Sequence, residues 1–180
     1  MIPAFLMSVM RVGAAFAIGL ASLHAIAGDA GSLRARHTEL RERLNNNSFM
    51  QSMYIDSAQS GDNLKGDVYA VLDHPFGVVS SELKDPDNWC EILIQPFNTK
   101  YCHAGGGDAE PNLLVRIGRK FDQPLQDAHK LQFSYRAVAA TADYFESGLR
   151  AKEGPLGTRD YHISISAVPL DDKRTFLHLS

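Results

Sequence analysis

The chain has 180 residues, a formal charge of −3, a pI near 6.1, 44% hydrophobic residues and 22% charged ones. That balance is ordinary for a globular protein and exerts no overall pull toward nucleic acid or an acidic membrane. Two cysteines are too few for a disulfide scaffold, and the length supports a core that does not depend on them.

The N-terminus reads MIPAFLMSVMRVGAAFAIGLASLHAIAGDA. Arg11, the apolar run Val12 to Leu20 and the small-x-small Ala25-Ile26-Ala27 together describe a secretory signal peptide over 1–27, cleaved after Ala27. Met10 is an alternative start that would place Arg11 at the very N-terminus. The run is short and alanine-rich for a membrane span, so the expected location is secreted or periplasmic. Residues 28–46 then form an N-terminal helix, centred on SLRARHTELRERL. Leu33, Leu40 and Leu44 recur at helical spacing, and Glu39 can pair with Arg43. Arg34, Arg36, Arg41 and Arg43 make a basic face. It could offer peripheral contact to anionic lipid, although a solvated face is the plainer reading.

Strands dominate the region 47–180. Phe49–Ser57 and Leu64–Leu72 flank the turn Ser60-Gly61-Asp62-Asn63, with Val68, Ala70 and Leu72 on one face. In HPFGVVSSELKDPDNW, Pro75 suits the first turn of a helix, and Phe76, Val79 and Leu83 share a helical face. Asp85-Pro86 ends that helix. Further strands are expected over Glu91–Gln95, Thr99–His103, Asn112–Lys120, Lys130–Ala139, Tyr144–Ala151, Asp160–Val168 and Arg174–Ser180. Alternation is clearest in KLQFSYRAVA and DYHISISAV, each with one wet and one apolar face, as in an antiparallel sheet. Gly154-Pro155-Leu156-Gly157 and Asp171-Asp172-Lys173 read as turns. The Gly105–Gly107 loop is not a phosphate cradle, because Pro111 and not a helix follows it. An apolar strand pattern reaches Ser180, so a further covering element is expected beyond it.

WCEILIQPFNTKYC carries both cysteines. A hairpin centred on Pro96 would set Cys90 opposite Cys102, at a separation a disulfide can bridge, with Trp89 packing at its base. A metal set of Cys90, Cys102 and His103 is disfavoured, since Cys102 and His103 point to opposite faces of a strand. A catalytic Cys–His pair fails on the same ground, so the pair reads as a structural disulfide, and no metal or cofactor is expected.

No G-x-S-x-G elbow is present, and Glu146-Ser147-Gly148 lacks the strand-turn-helix setting. Asp160 beside Arg159 reads as an ion pair at a turn. His162 and His178 fall on neighbouring predicted strands and could line a polar patch.

The segments GDVYAVLDHPFGVVSSELKDPDNWCEI and KEGPLGTRDYHISISAVPLDDKRTFLHLS, a strand running into a helical insert and a late set of hairpin strands, resemble the START-like, helix-grip superfamily of polyketide cyclase-like and lipid-transfer-like proteins. The resemblance implies an α+β fold over 47–180. Its curved antiparallel sheet would carry a short helical insert after the first strands and hold hydrophobic ligands beneath a C-terminal helix, here missing. It supplies no universal catalytic residues.

The first functional expectation is therefore an exported, non-catalytic protein that binds a lipid or other hydrophobic small molecule and no nucleic acid. The candidate lining is Leu131, Phe133, Tyr135, Tyr161, Ile163, Ile165, Leu177 and Leu179, with no catalytic residues. The alternatives are a cyclase- or hydrolase-like enzyme with His162, His178 or Asp160 in the same cavity, and an envelope interaction module that docks through a sheet edge or the N-terminal helix.

Overall fold

The computed structural model describes residues 21–95, 98–107 and 110–180, with side chains from residue 29 onward. Its elements run α1 (Ala21–Asn45), β1 (Met53–Ser60), β2 (Asn63–Leu72), α2 (Phe76–Lys84), α3 (Pro86–Leu93), β3 (Thr99–Gly105), β4 (Asn112–Ile117), β5 (His129–Ala140), β6 (Phe145–Glu153), β7 (Arg159–Pro169) and β8 (Thr175–Leu179). The fold is α+β: one curved, open, eight-stranded antiparallel sheet in the order β1-β2-β8-β7-β6-β5-β4-β3. The strand that precedes the helical insert, β2, pairs with the last strand, β8. Everything between them is a meander of neighbours.

The sheet separates two apolar clusters, because successive side chains on each strand leave by opposite faces. On the insert face, α2 packs chiefly on β6 and β7 and α3 chiefly on β3 and β4. They cover Leu113, Val115, Leu131, Phe133, Phe145 and Leu149 with Phe76, Val79, Leu83 and Trp89. On the opposite face, α1 covers Tyr69, Val168 and Phe176 with Ala30, Leu33, Leu40 and Leu44. His37 completes the α1 stripe, its ring 4.9 Å from that of Phe176. A bulge between Ala137 and Ala139 shifts the β5 register, so Ala137 stands opposite Ser147 but Ala139 packs in the α1 cluster.

Local chemistry sets the helix ends. The Asn47 side-chain amide donates to the Leu44 carbonyl at 2.8 Å and so caps α1. Asp85, extended at φ −84° and ψ 119°, stops α2; its carboxylate then accepts the Asp87 N–H at 2.9 Å and starts α3, with Pro86 in the first turn. The buried Trp89 indole N–H donates to the Leu83 carbonyl at 3.1 Å. The Tyr135 hydroxyl reaches the Leu83 and Lys84 carbonyls at 3.1 and 3.0 Å. Two aromatic side chains thus satisfy carbonyls that α2 leaves unpaired, and they fix the insert to the sheet.

Several expectations are corrected. Glu91–Gln95 is not a strand: α3 runs to Leu93, and Ile94 is its C-terminal cap. Alternation in EILIQ would bury Ile92 and Ile94, yet these are 44% and 41% exposed, while Trp89 is buried and Cys90 and Leu93 pack against the core at helical spacing. Cys90 and Cys102 do form a disulfide, but it ties helix α3 to strand β3 and does not staple a hairpin. Pro96, the expected hairpin centre, lies outside the described residues. The first strand begins at Met53, not Phe49, and β4 stops at Ile117. Helix α1 is described from Ala21, within the expected leader, and residues 1–20 lie outside the described ones. Glu39 pairs with Arg36 at 2.8 Å, and Arg43 instead donates to the Tyr54 hydroxyl at 2.8 Å. The basic α1 face is thus partly engaged, with Arg36 also over the Tyr69 ring and Arg34 bonded to Asp143. Among the described residues no helix is long and apolar enough to cross a membrane.

Tyr135→Phe removes the phenol that serves the Leu83 and Lys84 carbonyls, and should lower the unfolding free energy by about 1–2 kcal/mol; urea unfolding should show a lower midpoint with an unchanged slope. Replacing both cysteines by serine opens a loop spanning a sequence separation of 12, and should cost about 3 kcal/mol on the chain-entropy account. The same loss should appear on reduction of the wild-type protein in a thermal melt.

Candidate functional site

All eight predicted lining residues lie on one face of the sheet, the insert face. The structure then divides them. Leu131, Phe133, Tyr135 and Ile165 are buried in the core, while Tyr161, Ile163, Leu177 and Leu179 are only partly covered. The uncovered half continues sideways in cross-strand rows. Ile55, Val68, Leu179, Ile165 and Ser147 stand side by side across β1, β2, β8, β7 and β6. Met53, Ala70, Leu177, Ala167 and Phe145 form the next row. The result is an apolar floor beside the insert, open over β1, β2, β8 and the first half of β7. Ile55, at its outer end, is 45% exposed.

Two details shape this floor. Tyr161 stands edge-on to Phe133 with ring centroids 6.3 Å apart, and its hydroxyl lies 2.6 Å from Thr158 Oγ1. Gly154 lies under that ring; a Cβ there would fall 2.3 Å from a Tyr161 ring carbon, so the glycine permits this placement. The Ser147 hydroxyl is wholly buried on the insert face. It sits close enough to the Tyr135 hydroxyl to influence it, yet no donor or acceptor meets it in hydrogen-bonding geometry. A buried hydroxyl without a partner is uncommon enough to need a reason.

The residues weighed for acid–base work are elsewhere. His178 and His162 have the strand parity of Ser164 and Ser166 and so leave by the α1 face, opposite the apolar floor. Asp160 is exposed at a positive φ of 58°, with its carboxylate 4.0 Å from Arg159. None of the three faces the apolar floor, which corrects the expectation of an enzyme with these groups in that cavity.

His178 instead belongs to a polar cluster under the N-terminal half of α1. Its Nε2 lies 2.8 Å from Asp67 Oδ1, and Lys65 Nζ lies 3.0 Å from Oδ2. An ionised Asp67 only accepts, so Nε2 carries the hydrogen and donates it. The Tyr69 ring stacks on the imidazole at 4.3 Å. Beside this pair is a cavity of about 220 Å³ that also touches Arg36, Tyr144 and Ser166. Tyr144 donates to Glu146 at 2.7 Å, and burial followed by that carboxylate pushes its phenol well above the usual range. Burial works to raise the Asp67 carboxyl, but hydrogen bonds from His178 and Lys65 outweigh it and hold the group below the usual carboxylate range. Sequence reasoning singled out His178 and missed Asp67. The available signal was parity: Asp67 and Tyr69 alternate with the apolar Val68 and Ala70, so both had to share a face.

Comparison with protein-family models, with curated proteins and with solved structures found no match in any of the three. The functional reading therefore rests on the geometry.

Because the Asp67 carboxyl is depressed in the folded protein, the stability it contributes is present above the unfolded value near 3.8 and is lost as pH falls through the lower folded value. Asp67→Asn should therefore melt below the wild type at pH 7, with the gap closing as pH falls below the unfolded value near 3.8. Thermal melts of both proteins across that range check this; a gap that stays constant would mean the carboxylate charge is not involved.

Proposed function

We propose that the protein binds a lipid or similar hydrophobic small molecule on the open apolar floor, as an exported carrier without chemistry of its own. The observation that carries this reading is the division of the insert face. One half of a continuous apolar surface is sealed by α2 and α3, and the other half, around Tyr161, Ile163, Leu177 and Leu179, is left partly bare. Contiguous apolar surface of this kind marks a binding site more often than a solvated face. The sheet's closure of β2 on β8, around an insert that follows β2, is the order of elements in the helix-grip folds and supports that resemblance. A disulfide is compatible with an oxidising compartment, in keeping with export.

Leu179→Glu and Ile163→Glu place a carboxylate on partly covered floor positions and should weaken binding of a fluorescent fatty acid at least tenfold, because a charge left in an apolar contact has no partner. Ile92→Glu, on the outward side of α3, should bind as the wild type does. Native mass spectrometry of protein purified without detergent should show an adduct of lipid mass that Leu179→Glu lacks. Equal binding by all three variants, or none by the wild type, would remove the carrier reading.

A further inference from the structure

The α1 face is only half covered. Helix α1 packs on β1, β2, β7 and β8, and beyond it the same face of β4, β5 and β6 carries a different population of side chains. Strand parity sends Arg116 out from β4, Lys130, Gln132, Ser134 and Arg136 from β5, and Arg150 and Lys152 from β6. Arg116 stands opposite Lys130, and Ser134 opposite Arg150, which in turn stands opposite His162 of β7. Five permanent cations thus share one patch of sheet in a chain whose formal charge is −3. Among the described residues, none of Lys130, Arg136, Arg150 and Lys152 is in an ion pair, and Arg116 donates to the Ala128 carbonyl at 3.3 Å. Lys130, Arg136, Arg150 and Lys152 border an open groove of about 1,020 Å³, with Arg116 beside it; among the described residues its carboxylates are Glu110, ahead of β4, and Glu153, at the end of β6.

We infer that this groove docks an acidic polysaccharide. The array is extended: Lys130 and Arg136 are six residues apart on one strand, about 20 Å at strand rise, and the cations span three strands at about 4.8 Å spacing. That dimension fits a chain of repeated charges better than a single small anion. Between the cations lie Asn112, Gln132 and Ser134, which can both give and accept hydrogen bonds and so suit the hydroxyl groups of sugars. Arginine at two of the groove positions matches planar carboxylates or sulfates through paired N–H donors. Two other polyanions fit less well. Single-stranded nucleic acid needs aromatic platforms among its phosphate contacts; among the described residues the rings on this part of the face, Tyr101 and His103 of β3 and His162 of β7, flank the β5 and β6 cations and do not stand between them. A membrane surface needs apolar groups to insert, and the groove side chains named here are polar. The groove lies on the opposite face from the apolar floor, so the two sites are independent.

The test is binding of the full chain to immobilised heparin across a salt series, with a single-stranded oligonucleotide and vesicles containing phosphatidylglycerol run in parallel. Lys130→Glu/Arg136→Glu/Arg150→Glu changes exposed residues only and should retain its thermal melt. It should bind heparin at least 30-fold more weakly than the wild type at 50 mM salt, and should flatten the dependence of log affinity on log salt. Arg41→Glu/Lys84→Glu/Lys173→Glu makes the same change in net charge elsewhere and should bind within threefold of the wild type. Equal loss in both triple variants would reduce the effect to net charge and overturn the groove. Tighter binding of the oligonucleotide or the vesicles, sensitive to the groove variant, would overturn the polysaccharide assignment in favour of that class.

Discussion

A single backbone carbonyl, that of Leu83, holds the insert face together. It ends a nine-residue helix and would otherwise be an unpaired acceptor in an apolar setting. The indole of Trp89 reaches it from the next helix and the phenol of Tyr135 reaches it from the middle of the sheet. Two consecutive helices and a strand about fifty residues further on therefore meet at one acceptor. Cys90, one residue after Trp89, is then bonded to β3, which fixes the far end of α3. With its anchors on β3 and β5, the insert leaves β1, β2 and β8 only partly covered on that face.

Each face of the sheet is thereby half roofed, and the halves are complementary. The insert shelters the β3–β6 side of one face and part of β7, and α1 shelters the β1–β2–β8–β7 side of the other. The exposed apolar floor lies behind α1, and the exposed basic groove lies behind the insert. Every strand pair thus has a helix on at least one side, which stabilises the sheet without closing either surface. Both binding proposals follow from that diagonal arrangement, one through an apolar surface and the other through charge.

Period-two alternation made most of this legible in the sequence. In KLQFSYRAVA it separated Leu131, Phe133 and Tyr135 from Gln132, Ser134 and Arg136, and the structure keeps that division. The helical stripes of Phe76, Val79 and Leu83 and of Leu33, Leu40 and Leu44 were equally plain. The segment after Trp89 was misread because Ile92 and Ile94 alternate while Cys90 and Leu93 lie three apart. Over five residues both periods fit, and only the covering partner decides between them. The disulfide survived the error because a helix–strand contact can bring two cysteines together as well as a hairpin can. The Asp67–His178 pair was not legible for a different reason. Its members are 111 positions apart, and they meet only because β2 pairs with β8, a long-range choice that no local pattern encodes.

The β5 bulge at Val138 has a consequence for cooperativity. By inserting one residue out of register, it turns Ala139 toward α1 although Leu131, Phe133 and Tyr135 of the same strand serve the insert core. One continuous backbone thus belongs to two hydrophobic clusters that the sheet otherwise keeps apart. Fraying of β5 from either end would loosen both clusters together, so the two layers should open as one unit in hydrogen exchange and not in sequence.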